Sequence, residues 1–259
     1  MMRSLLTCFL VIAAVVALPR VRFPTPRLDG RIVGGYPIPI QYHSYQVSIT
    51  VYYAHACGGS ILNVNNILTG AHCVDGRYPD QFEIIYATNN PWGAEGRVTH
   101  VSSFTMHPEY QGWSTYNDYD VAVIHVDKPI KLGFKAQPVT LTTTPQNVNN
   151  LRTGTVTGWG QLSSGEGTPT QLHAVDVVEY TNEDCRSIYG SYITDRMICF
   201  AAPGKDSCHG DSGGPLVAIT TKEQLGIVSF GVGCADPDYP RVYANVYTLR
   251  SWIEEHGGK

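Results

Sequence analysis

The sequence predicts an all-β protein followed by one C-terminal helix, and three observations carry that expectation. Short runs rich in β-branched and aromatic residues recur between turn residues, at positions 45–53, 81–87, 121–126, 154–160 and 225–232. Helical spacing shows in one place, residues 246–255, where Val246, Leu249, Trp252 and Ile253 fall on one face. A stretch rich in Thr, Pro and Asn at 141–150 splits the β runs into two groups of similar length, which places a candidate boundary in the connection at 128–145. No heptads, internal repeats or long charge runs compete with this reading.

From the N-terminus, residues 1–17 read as a secretory signal. Arg3 precedes an apolar run at 5–18 that is shorter than the roughly 20 residues a membrane span needs. Small residues at Val15 and Ala17 put cleavage after Ala17. Residues 18–31, rich in Pro and Arg, form an extended, exposed segment ending at Arg31, and the character changes at Ile32-Val33-Gly34-Gly35. No later apolar stretch would cross a bilayer, so a secreted, extracellular product is expected. Of seven cysteines, Cys8 lies in the leader, and the six that remain suggest three disulfides among fifteen possible connectivities. No close cysteine pair has zinc-finger spacing, and no Asn-x-Ser/Thr sequon occurs. Loss of residues 1–31 removes five Arg and one Asp and moves the net charge from −4 to −8. That balance argues against nucleic acid and anionic membrane as partners.

Chemistry concentrates in the run from Asp206 to Pro215, DSCHGDSGGP. Ser212 is the candidate nucleophile. A hydroxyl near neutral pH attacks only when a base takes its proton and N–H donors receive the oxygen that becomes negative. Glycines on both sides allow the close backbone approach this demands, although an isolated Gly-Asp-Ser-Gly-Gly run also fits a tight turn. Among nine histidines, His72 stands out, because Leu68-Thr69-Gly70-Ala71-His72-Cys73 ends a β-rich run and the adjacent cysteine can hold the imidazole rigidly. The acid that orients it is expected at Asp120, which opens the apolar run Asp120-Val121-Ala122-Val123-Ile124. Asp118, among Tyr116, Asn117 and Tyr119, reads as a loop acid.

Over residues 32–256 the chain resembles the chymotrypsin/trypsin family of secreted serine endopeptidases. The resemblance rests on Ile32-Val33-Gly34-Gly35, Thr69-Gly70-Ala71-His72-Cys73, Asp120-Val121-Ala122-Val123, Gly158-Trp159-Gly160, Gly210-Asp211-Ser212-Gly213-Gly214-Pro215 and Ser229-Phe230-Gly231. It implies two antiparallel six-stranded β-barrels, about 32–137 and 138–245, with a helix at about 246–256 and the active site in the cleft between the barrels. It implies Ser212 as nucleophile, His72 as base and then acid, Asp120 as orienting acid, and the N–H groups of Gly210 and Ser212 as oxyanion hole. It also implies the disulfides Cys57–Cys73, Cys185–Cys199 and Cys208–Cys234.

In that family, cleavage after Arg31 would free the α-ammonium of Ile32 to pair with Asp211 and order the oxyanion loop. Asp206 would lie at the base of the primary pocket and select Lys or Arg, with Ser229, Phe230 and Gly231 along its side and His209 at its rim. Arg241 departs from the pattern, standing where trypsins usually carry glycine. Pointing inward, it would fill the pocket and cancel the charge of Asp206; swung out past Asp236 or Asp238, it would leave trypsin-like specificity intact. The stretch at 88–96 offers Glu95 as its single acid, so neither a metal nor another cofactor is expected. The resemblance implies protein substrates, an activating trypsin-like protease, proteinaceous inhibitors and a monomer. The acidic mature chain, short propeptide and lack of appended modules resemble digestive enzymes of invertebrates. The competing readings are an inactive homologue that acts as a binding protein, and an esterase or lipase; the latter usually needs alternating strands and helices that this chain lacks.

Overall fold

The computed structural model describes residues 35–93, 95–161, 167–203, 210–233, 236 and 238–258. Its first barrel comprises β2 (Gln46–Val51), β3 (Ala54–Ile61), β4 (Asn66–Thr69), β5 (Phe82–Tyr86), β6 (Arg97–Met106) and β7 (Ala122–Val126), closed in the order β2-β3-β4-β7-β6-β5. Strand periodicity explains the closure. In β2 the pleat sends Val47, Ile49 and Val51 to the barrel interior, where they meet Ile61, Ile67, Phe82, Ile84, Ala122 and Ile124. The registers Ile49↔Cys57 and Ile49↔Ile84 hold this face inward from both neighbours.

The second barrel comprises β9 (Thr153–Gly158), β10 (His173–Tyr180), β11 (Met197–Ala201), β12 (Pro215–Ala218), β13 (Glu223–Phe230) and β14 (Arg241–Asn245). These six close in the order β9-β10-β11-β14-β13-β12 around Val156, Val175, Ile198, Phe200, Leu216, Val228 and Tyr243. Two short strands extend it: β1 (Tyr36–Pro37) pairs with β10, and β8 (Thr140–Leu141) runs parallel to β13. The β13–β14 register shifts between Val228 and Phe230, so Ser229 is the extra residue of a bulge. Bulges re-aim side chains, and this one matters at the active site.

Two α-helices occur among the described residues. The C-terminal helix α2 (Val246–Gly257) starts at Asn245, whose side chain accepts from the Tyr247 N–H, and ends at Gly258 with φ 70°. Its buried face, Val246, Leu249 and Ile253, packs on Leu68 and Val121 of the first barrel and on Ile227 and Ala244 of the second. The other helix, α1 (Asn182–Tyr189), was not expected. Cys185 is its one buried residue, so it lacks an apolar stripe; what forms it is the Thr181 cap, accepting from the Asp184 N–H, with Glu183 and Asp184 in the first turn. The strands agree with the expected runs apart from one or two residues at their ends.

The barrels meet through buried polar contacts as well as α2. Thr157 Oγ1 donates to Gln46 Oε1 at 2.7 Å, and Ser60 Oγ donates to Gln224 Oε1 at 2.7 Å. All four residues are fully buried. Ser60→Ala should therefore strand the Gln224 carbonyl and lower stability by about 1–3 kcal/mol, read as a lower denaturant midpoint. An unchanged midpoint would show that this contact does not tie the barrels.

Candidate active site

β4 ends at Thr69, and one 3-10 turn, Ala71–Cys73, follows. The Cys57–Cys73 disulfide ties that turn to β3. The His72 backbone N–H donates to Asp120 Oδ1 at 3.0 Å, and His72 Nδ1–H donates to Asp120 Oδ2 at 2.7 Å. Ser229 Oγ, turned toward the acid by the β13 bulge, donates to the same Oδ2 at 2.5 Å. Asp120 is 1 % exposed. Burial alone would raise its carboxyl, but the His72 charge and these hydrogen bonds override that and hold it below the usual carboxylate range. For His72, burial pulls downward while the Asp120 charge and hydrogen bond pull upward, and the net shift is upward. With Nδ1 donating to Asp120, Nε2 is the nitrogen left to take a proton.

Ser212 lies on the tight turn preceding β12. Its carbonyl accepts from the Gly58 N–H at 2.8 Å, and the Gly213 N–H donates to Val228 O at 2.8 Å, so the turn is held between β3 and β13. Gly213 has φ 73°, and a Cβ there would lie 2.2 Å from Thr69 Oγ1 and 2.8 Å from Cys73 Sγ. Only glycine fits. That contact sets the serine beside the His72 turn, although no hydrogen bond joins Ser212 to His72 among the described residues. Such bonds are often long before substrate binds.

Gly210, with φ 100°, also occupies a glycine-favouring conformation. Its carbonyl accepts from His55 Nε2 at 2.9 Å, while Ser48 Oγ lies 2.8 Å from His55 Nδ1. Burial takes His55 down to about 4, so it is a neutral Nε2–H donor at physiological pH. His55 escaped the sequence reading because a lone histidine on a strand carries no signal. Asp211 is wholly buried, and its Oδ1 accepts from the Gly160 N–H at 2.8 Å. A Cβ on Gly158 or Gly160 would fall 2.1 or 2.4 Å from the Asp211 carboxylate, which explains the glycines around Trp159.

Beyond Ser229, the chain continues through Phe230 and Gly231. Arg241, opening β14, lies against them: a Cβ on Gly231 would be 2.7 Å from Arg241 Nη1, and Nη2 donates to Gly233 O at 3.0 Å. Trp113 stands edge-on to Phe230 at 5.7 Å. Asp206, His209 and the Cys208–Cys234 pair lie outside the described residues, as do Arg31 and Ile32. The Cys57–Cys73 and Cys185–Cys199 bridges are present.

Asp118 is more than the loop acid its neighbours suggested. It is 8 % exposed and receives Arg196 Nη2 at 2.5 Å, Arg196 Nε at 3.2 Å and Thr194 Oγ1 at 2.8 Å. The signal was long-range and invisible in sequence: the partners sit 76 and 78 residues away. Among the described residues, the one group of potential metal ligands with mutually close donor atoms is Cys57, His72 and Cys73, where the sulfurs already form a disulfide.

A trypsin-family profile matches residues 32–253. Trypsin alpha of Drosophila melanogaster is 41 % identical over 232 residues, which cover 88 % of each chain. A vitellin-degrading protease of Bombyx mori is 36 % identical over 260 residues, 99 % of this chain and 95 % of its own. Among solved structures, neuropsin, a serine protease expressed in the limbic system of mouse brain, superposes with a TM-score of 0.78 at 27 % identity, covering 85 % of this chain and 97 % of its own. The two closed barrels, the buried acid–imidazole pair and these relatives agree: the chain belongs to the chymotrypsin/trypsin family of serine endopeptidases.

Proposed function

We propose that the protein is a secreted serine endopeptidase, made as a zymogen, in which His72, Asp120 and Ser212 form the catalytic triad. The observation that carries this reading is the His72–Asp120 pair set beside the Ser212 turn. Nε2 of His72 takes the Ser212 proton as Oγ attacks the scissile carbonyl, then returns it to the leaving amine; the acyl-enzyme is released by water activated the same way. The N–H groups of Gly210 and Ser212 receive the oxyanion. After activation, a fluorophosphonate probe should label the protein at one site, and Ser212→Ala should abolish both labelling and peptide hydrolysis. Labelling that survives Ser212→Ala would overturn the assignment.

Residues 1–17 act as signal and residues 18–31 as propeptide, leaving 32–259 as the peptidase. Cleavage after Arg31 by a trypsin-like protease creates the Ile32 ammonium, which pairs with Asp211. The complete burial of Asp211 directly before Ser212 places its carboxylate where a new ammonium would act on the oxyanion loop, and this supports the switch. Arg31→Gln should give a secreted but inactive chain; full activity without cleavage would refute the switch. The mature enzyme acts on proteins, is a target for proteinaceous inhibitors, and works as a monomer without a cofactor.

Primary specificity is set jointly by Asp206 and Arg241. The Arg241 guanidinium packs along Gly231 and Gly233, a placement that favours the inward alternative over the outward one. A side chain there takes the space a substrate Lys or Arg would need and repels its charge. The preferred residue before the cut is therefore small, apolar or acidic. On peptides differing only at that residue, Arg241→Gly should raise Lys and Arg cleavage by about a hundredfold. Strong Lys/Arg preference in the unmodified enzyme, unaltered by the substitution, would sink this reading.

A further inference from the structure

We propose that Asp118, through its ion pair with Arg196, is a positioning residue for Asp120 and so for the catalytic imidazole. The inference rests on the assignment of His72 and Asp120 as base and orienting acid.

The segment that delivers Asp120 is a poor resting conformation for its own residues. Tyr116, Asn117 and Tyr119 have φ of 52°, 56° and 58°, a region that bulky residues avoid. Immediately beyond, the Val121 N–H donates to Tyr119 O at 2.7 Å, closing a three-residue turn with Asp120 at its centre. The direction of the Asp120 carboxylate thus depends on whether this strained run keeps its shape. Left-handed residues in series persist only where the surroundings over-determine them.

Most of the surroundings that do so belong to the other barrel. Asp118 accepts from Arg196 through Nε and Nη2 and from Thr194 Oγ1. Tyr116 stacks on Tyr192 with centroids 3.6 Å apart. Tyr119 lies between the Arg196 guanidinium, 4.6 Å from its ring, and the His107 ring at 4.4 Å. The anchor is itself rigid: the Asn245 N–H donates to Arg196 O at 2.8 Å, Arg186 Nε donates to Ile193 O at 3.0 Å, and the Cys185–Cys199 bridge backs the segment. A bidentate guanidinium–carboxylate pair supplies direction as well as attraction, which lysine would not reproduce. The pair therefore sets the position of the loop relative to the second barrel, which also carries Ser229 and Ser212. One half of the triad is registered against the other at this point.

The test uses the full chain, activated with trypsin and purified from it, carrying Asp118→Asn, Arg196→Gln or Arg196→Lys. Asp195→Asn, which weakens the exposed Arg186–Asp195 pair nearby and leaves the Arg186–Ile193 contact in place, is the control. For Asp118→Asn and Arg196→Gln, kcat should fall about tenfold to a hundredfold with KM within about twofold, and Arg196→Lys should recover only part of the loss. A misplaced Asp120 stabilises the imidazolium less, so the His72 pKa drops and the acid limb of the kcat/KM profile moves to lower pH. Tyr110 also faces Asp120, and its hydroxyl titrates far above this limb. Asp195→Asn should leave kcat and the limb unchanged. Unaltered kcat and an unmoved limb in Asp118→Asn overturn the proposal, as does an equal effect of the control. If Asp118→Asn does not fold, Thr194→Val removes one donor from Asp118 and must shift the limb in the same direction. Failure of the triad assignment shows separately, as unmodified activated enzyme that a fluorophosphonate does not label.

Discussion

The candidate active site depends on one electrostatic constraint: a carboxylate, Asp120, is kept ionised at 1 % exposure between two barrels. Removing a charge from water costs several kcal/mol even after relaxation, so the acid survives ionised only where donors surround it. Here the His72 backbone N–H, His72 Nδ1–H and the Ser229 hydroxyl supply them. Two donors come from the first barrel and one from the second. The acid's solvation is therefore built from both halves of the molecule, and the barrels must be in register for it to be complete. The same donors fix the imidazole tautomer, so a solution to a burial problem also leaves Nε2 free to accept a proton.

That dependence explains how much of the structure serves to hold the two barrels at one relative position. Each barrel has its own apolar interior, and neither interior says how the barrels should sit against each other. The seam is specified by directional contacts: Thr157 with Gln46, Ser60 with Gln224, Trp159 Nε1 with Asn89 O at 2.6 Å, and the Gly58 N–H with Ser212 O. Apolar burial under α2 adds adhesion with little angular preference. A buried hydrogen bond is lost by small displacements, which makes a polar seam a better gauge of alignment than an apolar one.

Legibility in the sequence followed the range of the interactions. Barrel strands were readable because alternation such as Val47, Ile49 and Val51 is local, and α2 because Val246, Leu249 and Ile253 repeat at helical spacing. The catalytic candidates stood out through neighbours that constrain them, Cys73 for His72 and the glycines for Ser212. By contrast α1 rests on a cap and a disulfide, so it gave no periodic signal. His55 and Asp118 acquire their roles only from Gly210, Arg196 and Thr194, all remote in the chain. The position of Arg241 likewise depends on the β13–β14 register with its bulge, which no local pattern announces.

Asp211 repeats the Asp120 problem beside Ser212, and under the proposed activation its solution would come in two stages. It too is fully buried, and Gly158 and Gly160 lack side chains because its carboxylate fills the space they would need. Asp211 accepts from the Gly160 N–H within the chain, and the proposed activation would add a cation to it. The donors to Asp120 are internal to the chain, so the proposed base can be oriented before any cleavage. The cation proposed for Asp211 does not exist until the chain is cut after Arg31. Under that proposal, cleavage would have only the loop around Asp211 to rearrange. Gly210 and Gly213, at φ 100° and 73°, lie in that loop, where glycine lets the backbone take such a conformation at low steric cost.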